Sequence, residues 1–265
     1  MPNEARAGLP GWLMAPGQPG RARAAADSRD PGEMHADEPL EHQPQEGGPL
    51  AEGPTEDEPL AEGPLARQIR FVLEADRLKT VARQSRITDG TRQENSAEHS
   101  WHLALMALVL GEYAPAGTDL SRVMAMVVVH DLVEIDAGDL FLYADSAAHA
   151  RQEVAERAAA DRIFALLPAS QAVAARALWD EFEERRTPEA RFARALDRLQ
   201  PMLLNMQTSG GTWVTHDVPL DQVLSKVELI EEGSAALGGY ARAMIAQAVE
   251  RGFLRAAPGP PGWRR

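Results

Sequence analysis

The sequence predicts an all-α fold, a helical bundle preceded by a disordered extension. Three observations carry that prediction. Long stretches repeat apolar residues at steps of three and four, no stretch of useful length alternates apolar and polar residues, and the first 64 residues are poorly equipped to fold. Residues 1–64 hold 11 of the 19 prolines, have Trp12 as their only aromatic residue, and repeat PLAEGP at 49–54 and 59–64. Such a segment buries too little surface to offset its ordering entropy. The expected organisation is a disordered extension over 1–64, one helical domain over 65–255 and a disordered tail over 256–265.

Within the domain, Leu65 to Val81 carries Ile69, Val72, Leu73, Leu78 and Val81 at helical spacing, as one helix or two short ones. Arg83 to Gln93 is polar with Asp89-Gly90 inside it and predicts a loop. Ser96 is a suitable N-cap for a helix from Ala97 to about Tyr113, with Leu103, Met106, Ala107 and Leu110 on its apolar face. Pro115 to Thr118 interrupts the chain before a helix that starts near Leu120 and ends at Gly138. Ser146 to Leu167 predicts an Ala-rich helix with Val154, Ala158, Ile163, Phe164 and Leu167 inward, and Pro168 to Glu184 another. Thr187 caps a helix with Pro188 at its first position and a stripe of Phe192, Leu196, Leu199, Leu203 and Met206; Pro201 is expected to kink it. Thr208 to Pro219 reads as a Gly-rich loop, and Leu220–Glu232 and Ala235–Arg251 as a final pair of helices.

Composition removes several function classes. There are no cysteines, which excludes disulfides, thiolate metal sites and a Cys nucleophile and accords with a cytoplasmic location. Net charge is −13, of which residues 1–66 contribute −9 from 13 acidic residues against four Arg, leaving about −4 for the domain. A mildly acidic domain without a basic stripe argues against duplex nucleic acid and against an anionic membrane surface. No apolar run reaches the length of a membrane span, and the first twenty residues lack the pattern of a signal peptide.

The informative stretch is Val123 to Asp139, VMAMVVVHDLVEIDAGD. It is largely apolar, yet it holds His130, Asp131 and Glu134. On a regular helix His130 and Glu134 share a face, with Asp131 adjacent. A buried carboxylate costs several kcal/mol unless it is paired or bound to metal, so this cluster asks for a cation. His99, in the first turn of an earlier helix, and Asp197, inside the apolar stripe of a later one, complete a candidate ligand set with His130 and Asp131. Helical bundles build metal sites in this way, from facing helices. Two imidazoles and two carboxylates suit one divalent ion of the series Mn, Fe, Co, Ni or Zn. Spacing alone leaves other readings open: His99 as a capping residue, and Asp197 as an ion-pair partner of Arg194 or Arg198. His216-Asp217 repeats the dipeptide in a solvated loop, where it needs no metal.

The order His…His-Asp…Asp on successive helices resembles the HD superfamily of metal-dependent phosphohydrolases. The strings ENSAEHS (94–100), HDLVE (130–134) with Gly138-Asp139, and LDRLQP (196–201) are similar to the branch that contains the bacterial 5′-deoxynucleotidases and the eukaryotic HD domain-containing protein 2. The resemblance runs from about Leu65 to Glu250. It implies an HD-domain bundle and hydrolysis of deoxyribonucleoside 5′-monophosphates to nucleoside and phosphate by a metal-activated water. It assigns His99, His130, Asp131 and Asp197 to the metal, Glu134 to the attacking water, Arg83 to the phosphate and Asp139 to the sugar. A homodimer accords with it. Each role has a plainer rival: Glu134 as a group that orients a ligand, Arg83 as a surface loop residue, Asp139 as part of a turn, Arg92 and Glu94 as a surface pair. One departure stands out. Where the nucleotidases carry an aromatic residue after the phosphate Arg, this chain has Gln84, and the loop Gly210–Trp213 is the candidate replacement wall. Phosphodiesterases and triphosphate-cleaving relatives use further basic residues around the phosphates, of which the sequence offers few. A non-catalytic binding protein would show a damaged ligand set, and all four ligands are present.

Overall fold

The chain was analysed as a computed structural model that describes residues 63–255. The expected extension, apart from its last two residues, and the expected tail lie outside the described residues. The described part contains ten helices and one hairpin: α1 Pro64–Asp76, β1 Ala82–Arg86, β2 Gln93–Asn95, α2 Ser96–Leu110, α3 Leu120–Val129, α4 Glu134–Ala137, α5 Ser146–Phe164, α6 Ala169–Glu184, α7 Pro188–Gln207, α8 Gly211–Thr215, α9 Leu220–Gly233 and α10 Ala235–Glu250. Short 3-10 turns cover Arg77–Thr80, Gly111–Tyr113 and His130–Val133. Among the described residues, no helix is long and apolar enough to cross a membrane.

Side chains fix five of the ten helix starts. Asp119 accepts from the backbone N–H of Ser121 and Arg122 to open α3, Asp145 from Ala148 to open α5, and Thr187 from Ala190 to open α7 behind Pro188. Each cap of this kind stabilises by about 1 kcal/mol. The start of α2 differs from expectation by one residue. Asn95, not Ser96, is the N-cap, and it forms a capping box with Glu98. Ser96 is thereby freed for another partner.

Helix α7 is the central element and packs against α2, α3, α6, α9 and α10. Phe192, Ala193, Leu196, Leu199, Met202 and Leu204 are all buried on it, so it is covered on most of its circumference. Pro201 lies inside α7, which continues to Gln207. The proline ring removes the N–H that would have paired with the carbonyl of Asp197, one turn earlier. Helix α9 approaches α7 so closely at Gly233 that a Cβ there would lie 2.3 Å from the Arg191 carbonyl oxygen.

Two apolar clusters result. The larger joins α2, α3, α7, α9 and α10 through residues such as Leu103, Met126, Phe192, Leu196 and Ile230. The smaller joins α5, α6 and the turn at 130–133 through Leu132, Val133, Ile163, Phe164 and Trp179. The 130–133 turn touches the smaller cluster and carries His130 and Asp131 beside it.

Four further sequence expectations change. Residues 83–93 are not a loop: β1 and β2 pair antiparallel, with Ala82 opposite Asn95 and Arg86 opposite Gln93 and an irregular register between. The hairpin has no apolar alternation because its inward side chains, Arg83, Ser85 and Glu94, face polar groups. The helix expected to run from Leu120 to Gly138 is broken at His130 by the 3-10 turn, and Gly138, with φ 75, ends α4. The 208–219 loop contains α8. In α5, Val154 and Ala158 face solvent, while Ala159, Ala160, Ile163 and Phe164 are buried. A helix so rich in alanine gives its apolar frame little contrast. Helix α1 buries none of its residues. It is fastened instead by Arg67, whose guanidinium donates to the Ala165 and Leu167 carbonyls just past α5.

Candidate metal centre

The turn at 130–133 sets the geometry. Three residues per turn bring positions i and i+3 into line. Asp131 and Glu134 therefore share a side, rather than His130 and Glu134, and both face Arg83. Arg83 Nη1 donates to Asp131 Oδ2 at 2.8 Å and lies 3.5 Å from Asp139 Oδ1 and 3.7 Å from Glu134 Oε1, and its Nε lies 3.9 Å from Glu94 Oε2. The freed Ser96 hydroxyl donates to Glu134 Oε2 at 2.6 Å.

His99, His130 and Asp197 bring donor atoms within 4.8 Å of one another, and all three are buried. His99 Nε2 is 3.2 Å from Asp197 Oδ1, and His130 Nε2 is 4.0 Å from the same oxygen. Asp131 adjoins this trio, with Oδ1 3.0 Å from His130 Nε2 and Oδ2 3.9 Å from His99 Nε2. The four predicted ligands are thus brought together, three of them as a compact cluster and Asp131 at its edge, where it is shared with Arg83.

Hydrogen bonds decide how the imidazoles present themselves. His130 Nδ1 lies 2.9 Å from the Val127 carbonyl, which only accepts, so Nδ1 carries the proton. Gln200 Nε2 donates to Glu94 Oε1 at 2.7 Å, which turns Gln200 Oε1 toward His99 Nδ1 at 3.1 Å and fixes the same tautomer there. In the neutral rings both Nε2 atoms then point lone pairs at carboxylate oxygens. His130 Nε2 is buried and has no hydrogen-bond partner among the described residues. Lone pairs and carboxylates converging in a buried space call for a proton or a metal cation between them, and the N/O donor set fits a divalent ion.

The electrostatics agree. Burial and the charge of Arg83 oppose protonation of His99, yet Asp197, Glu94 and Asp131 outweigh them and lift its pKa to about 9. Burial pushes Asp131 upward, but His130 and Arg83 hold it well below the usual carboxylate range. Burial likewise opposes ionisation of Asp197, and Arg198, His99 and Arg194 prevail to hold it low. Glu134 is raised well above its ordinary value by burial and by the Asp131 charge, and Asp139 is raised by burial. The ligand carboxylates are thus held ionised, while Glu134 is poised to hold a proton.

A cavity of ≈ 1020 Å³ opens beside the cluster. Gln84 lines it, as do Phe141 and Tyr143 from the segment after α4, whose rings are 5.5 Å apart. These aromatics supply the wall expected from Gly210–Trp213. Of that segment, Thr212 lines the cavity, whereas Trp213 is buried in the core with Nε1 donating to the Tyr143 hydroxyl. Arg92 pairs with Glu98 and not with Glu94, which is buried against Gln200. Arg194 and Arg198 also line the cavity, so the expectation of few basic groups does not hold. Burial and Arg194 lower the Arg198 pKa to about 10. Sequence reasoning left Gln200 without a role; its signal was an uncharged amide three residues after Asp197 on an otherwise apolar helix face.

Known proteins resemble this chain. A 136-residue stretch, 51% of the chain, is 28% identical to 5′-deoxynucleotidase HDDC2 of Danio rerio and 30% identical to that of Xenopus laevis, and spans 66% of each. The chain therefore spans just under two thirds of the length of these curated relatives. A solved structure from Magnetospirillum magnetotacticum MS-1, described as a predicted metal-dependent phosphohydrolase, superposes with a TM-score of 0.70 at 51% identity, over 73% of this chain and 96% of that one. A family model described as an HD domain matches residues 75–237, a span that contains every residue of the cluster, and the chain belongs to the HD domain family.

Proposed function

We propose that the chain is a metal-dependent phosphomonoesterase that hydrolyses deoxyribonucleoside 5′-monophosphates to nucleoside and phosphate. The observation that carries this reading is the convergence of two imidazole Nε2 lone pairs with the carboxylates of Asp131 and Asp197, beside Arg83 and the buried carboxyl of Glu134. His99, His130, Asp131 and Asp197 hold one divalent ion of the Mn, Fe, Co, Ni or Zn series. When bound, that ion polarises a phosphoryl oxygen and acidifies water. Glu134, ionised, accepts a proton from the attacking water at Oε1, the oxygen not bonded to Ser96. Its raised pKa suits that exchange. Arg83 neutralises phosphate charge, and Asp139, on the cavity lining 3.5 Å from Arg83, receives a sugar hydroxyl. Phe141 and Tyr143 offer apolar faces to the base. The relatives named 5′-deoxynucleotidase and the neighbour described as a metal-dependent phosphohydrolase support the reading.

The test is phosphate release from ribo- and deoxyribonucleoside mono-, di- and triphosphates, with each metal of the series. Release from monophosphates that disappears in Asp131→Ala is expected. If no monophosphate is hydrolysed with any of the metals, the reading is wrong.

A further inference from the structure

Arg83 is not alone on the cavity lining: Arg194 and Arg198 reach it from α7. Arg194 and Arg198 sit three residues before and one after Asp197 on α7, with side chains only 12% and 16% exposed. The Nε of each is buried without a hydrogen-bond partner among the described residues. Their nearest carboxylate oxygens stand off: Asp197 Oδ2 at 3.6 and 3.4 Å, and Glu183 Oε1 at 3.8 Å from Arg194. Arg194 is held in place by the Phe182 ring, whose centroid is 5.2 Å from its guanidinium carbon. Arg185, at the end of α6, brings a third guanidinium to the rim, 3.8 Å from Glu183.

Arg83 is in a different position. Four carboxylates surround it, and one of them takes its hydrogen bond. A transferred phosphate has Arg83 and the metal ligands' cation to answer its charge. Neither Arg194 nor Arg198 spends a side-chain donor on a hydrogen bond among the described residues, and a buried Nε–H without a partner is costly unless a ligand supplies an acceptor. Their planar forks match a phosphate group.

The geometry points to a second anion subsite, formed by Arg194 and Arg198 with Arg185 at its rim, that receives a phosphate additional to the one transferred. Resting on the nucleotidase reading, it makes the preferred substrate a nucleotide with two phosphates. The second phosphate is either chained to the first, as in a 5′-diphosphate, or carried on the sugar, as in a 3′,5′-bisphosphate.

Hydrolysis of matched 5′-monophosphates, 5′-diphosphates and 3′,5′-bisphosphates separates these sources. One of the two-phosphate classes should exceed the monophosphate in kcat/KM by on the order of 100-fold, the size expected of two charge-assisted hydrogen bonds. That ratio should fall toward one in the doubly substituted Arg194→Gln/Arg198→Gln protein. An equal loss on all three substrates would put these arginines on the transferred phosphate and overturn the second subsite, as would a wild-type protein with no preference. A binding measurement separates this idea from the nucleotidase reading. Calorimetry of the metal-depleted full chain with inorganic pyrophosphate and with phosphate should show pyrophosphate bound at least ~10-fold tighter. Arg185→Gln, a rim change outside the packed interior, should narrow that difference. Equal affinity for the two anions would overturn the subsite even if monophosphates are hydrolysed. Tighter pyrophosphate binding without any hydrolysis would keep it while the nucleotidase reading fails.

Discussion

The candidate centre has two cationic flanks, and they are built oppositely. On the Asp131 flank, Arg83 is enclosed by Glu94, Asp131, Glu134 and Asp139 within 3.9 Å. On the Asp197 flank, Arg194 and Arg198 face one oxygen of Asp197 at 3.4–3.6 Å, with Glu183 3.8 Å from Arg194, and make no side-chain hydrogen bond among the described residues. Both flanks are nearly closed to solvent, so the difference lies in who supplies the counter-charge. The first flank supplies its own. The second leaves its counter-charge to a ligand.

Removing Asp197 strikes the boundary between the flanks and should have the largest effect. Asp197→Ala removes one of the four proposed metal ligands and takes from the two arginines the carboxylate they share. Phosphate release should fall by about 10³-fold or more, a loss of roughly 4 kcal/mol of transition-state stabilisation. Elemental analysis of the purified protein should find the metal depleted, and full retention would remove Asp197 from the ligand set.

Next in size is the stability contrast between the two arginine sites. Arg83→Met leaves several buried carboxylates facing one another and should cost about 3–5 kcal/mol in urea unfolding of the metal-free protein. Arg198→Met removes a buried charge that gives up no hydrogen bond, and should change stability by about 1 kcal/mol or less. Equal costs would erase the distinction between the flanks.

The sequence displayed the middle of this site and hid its edges. His130, Asp131 and Asp197 were legible because charged groups inside apolar helical stripes have no cheap explanation. The helix order followed from apolar spacing and from caps such as Asp119 and Thr187. The hairpin was not legible, because Arg83, Ser85 and Glu94 point into a polar site and leave no apolar alternation. The break at His130 was also hidden: it lies inside a largely apolar run without Gly or Pro, and Leu132 and Val133 of the turn are buried in one cluster with Ile163 and Trp179, a tertiary contact that local sequence does not display. Ser96 was read as a cap because its hydroxyl suits one, whereas tertiary structure gives that hydroxyl to Glu134. In the sequence Arg194 and Arg198 read only as ion-pair partners of Asp197, and the cavity reveals them as a group.

A smaller effect tests the support behind the centre. Gln200 links His99 to Glu94, and through Glu94 to the Arg83 flank. Gln200→Leu removes the acceptor that fixes the His99 tautomer, and metal affinity should weaken by about 10–100-fold while the fold persists. Competition with a metal-binding dye measures this. Unchanged affinity would mean that packing alone orients His99.

The smallest expected effect lies away from both flanks, at Glu156, which lines the same cavity. Burial raises its pKa from 4.5 to about 7, against the hydrogen bond it accepts from Gln152. The folded chain therefore holds a proton that the unfolded chain has released between pH 4.5 and 7, and stability contributed by this group falls as pH rises through that window. Glu156→Gln keeps the neutral shape and removes the titration. Its thermal midpoint should match wild type below pH 4.5 and exceed it above pH 7, by a few degrees at most because the group is partly solvated. If the cations of the Asp197 flank already compensate an ionised Glu156, the two midpoints will stay together across the range. That result would show the unpaired arginines reaching across the cavity to an acid of the protein's own, which weakens the case that their counter-charge comes from a ligand.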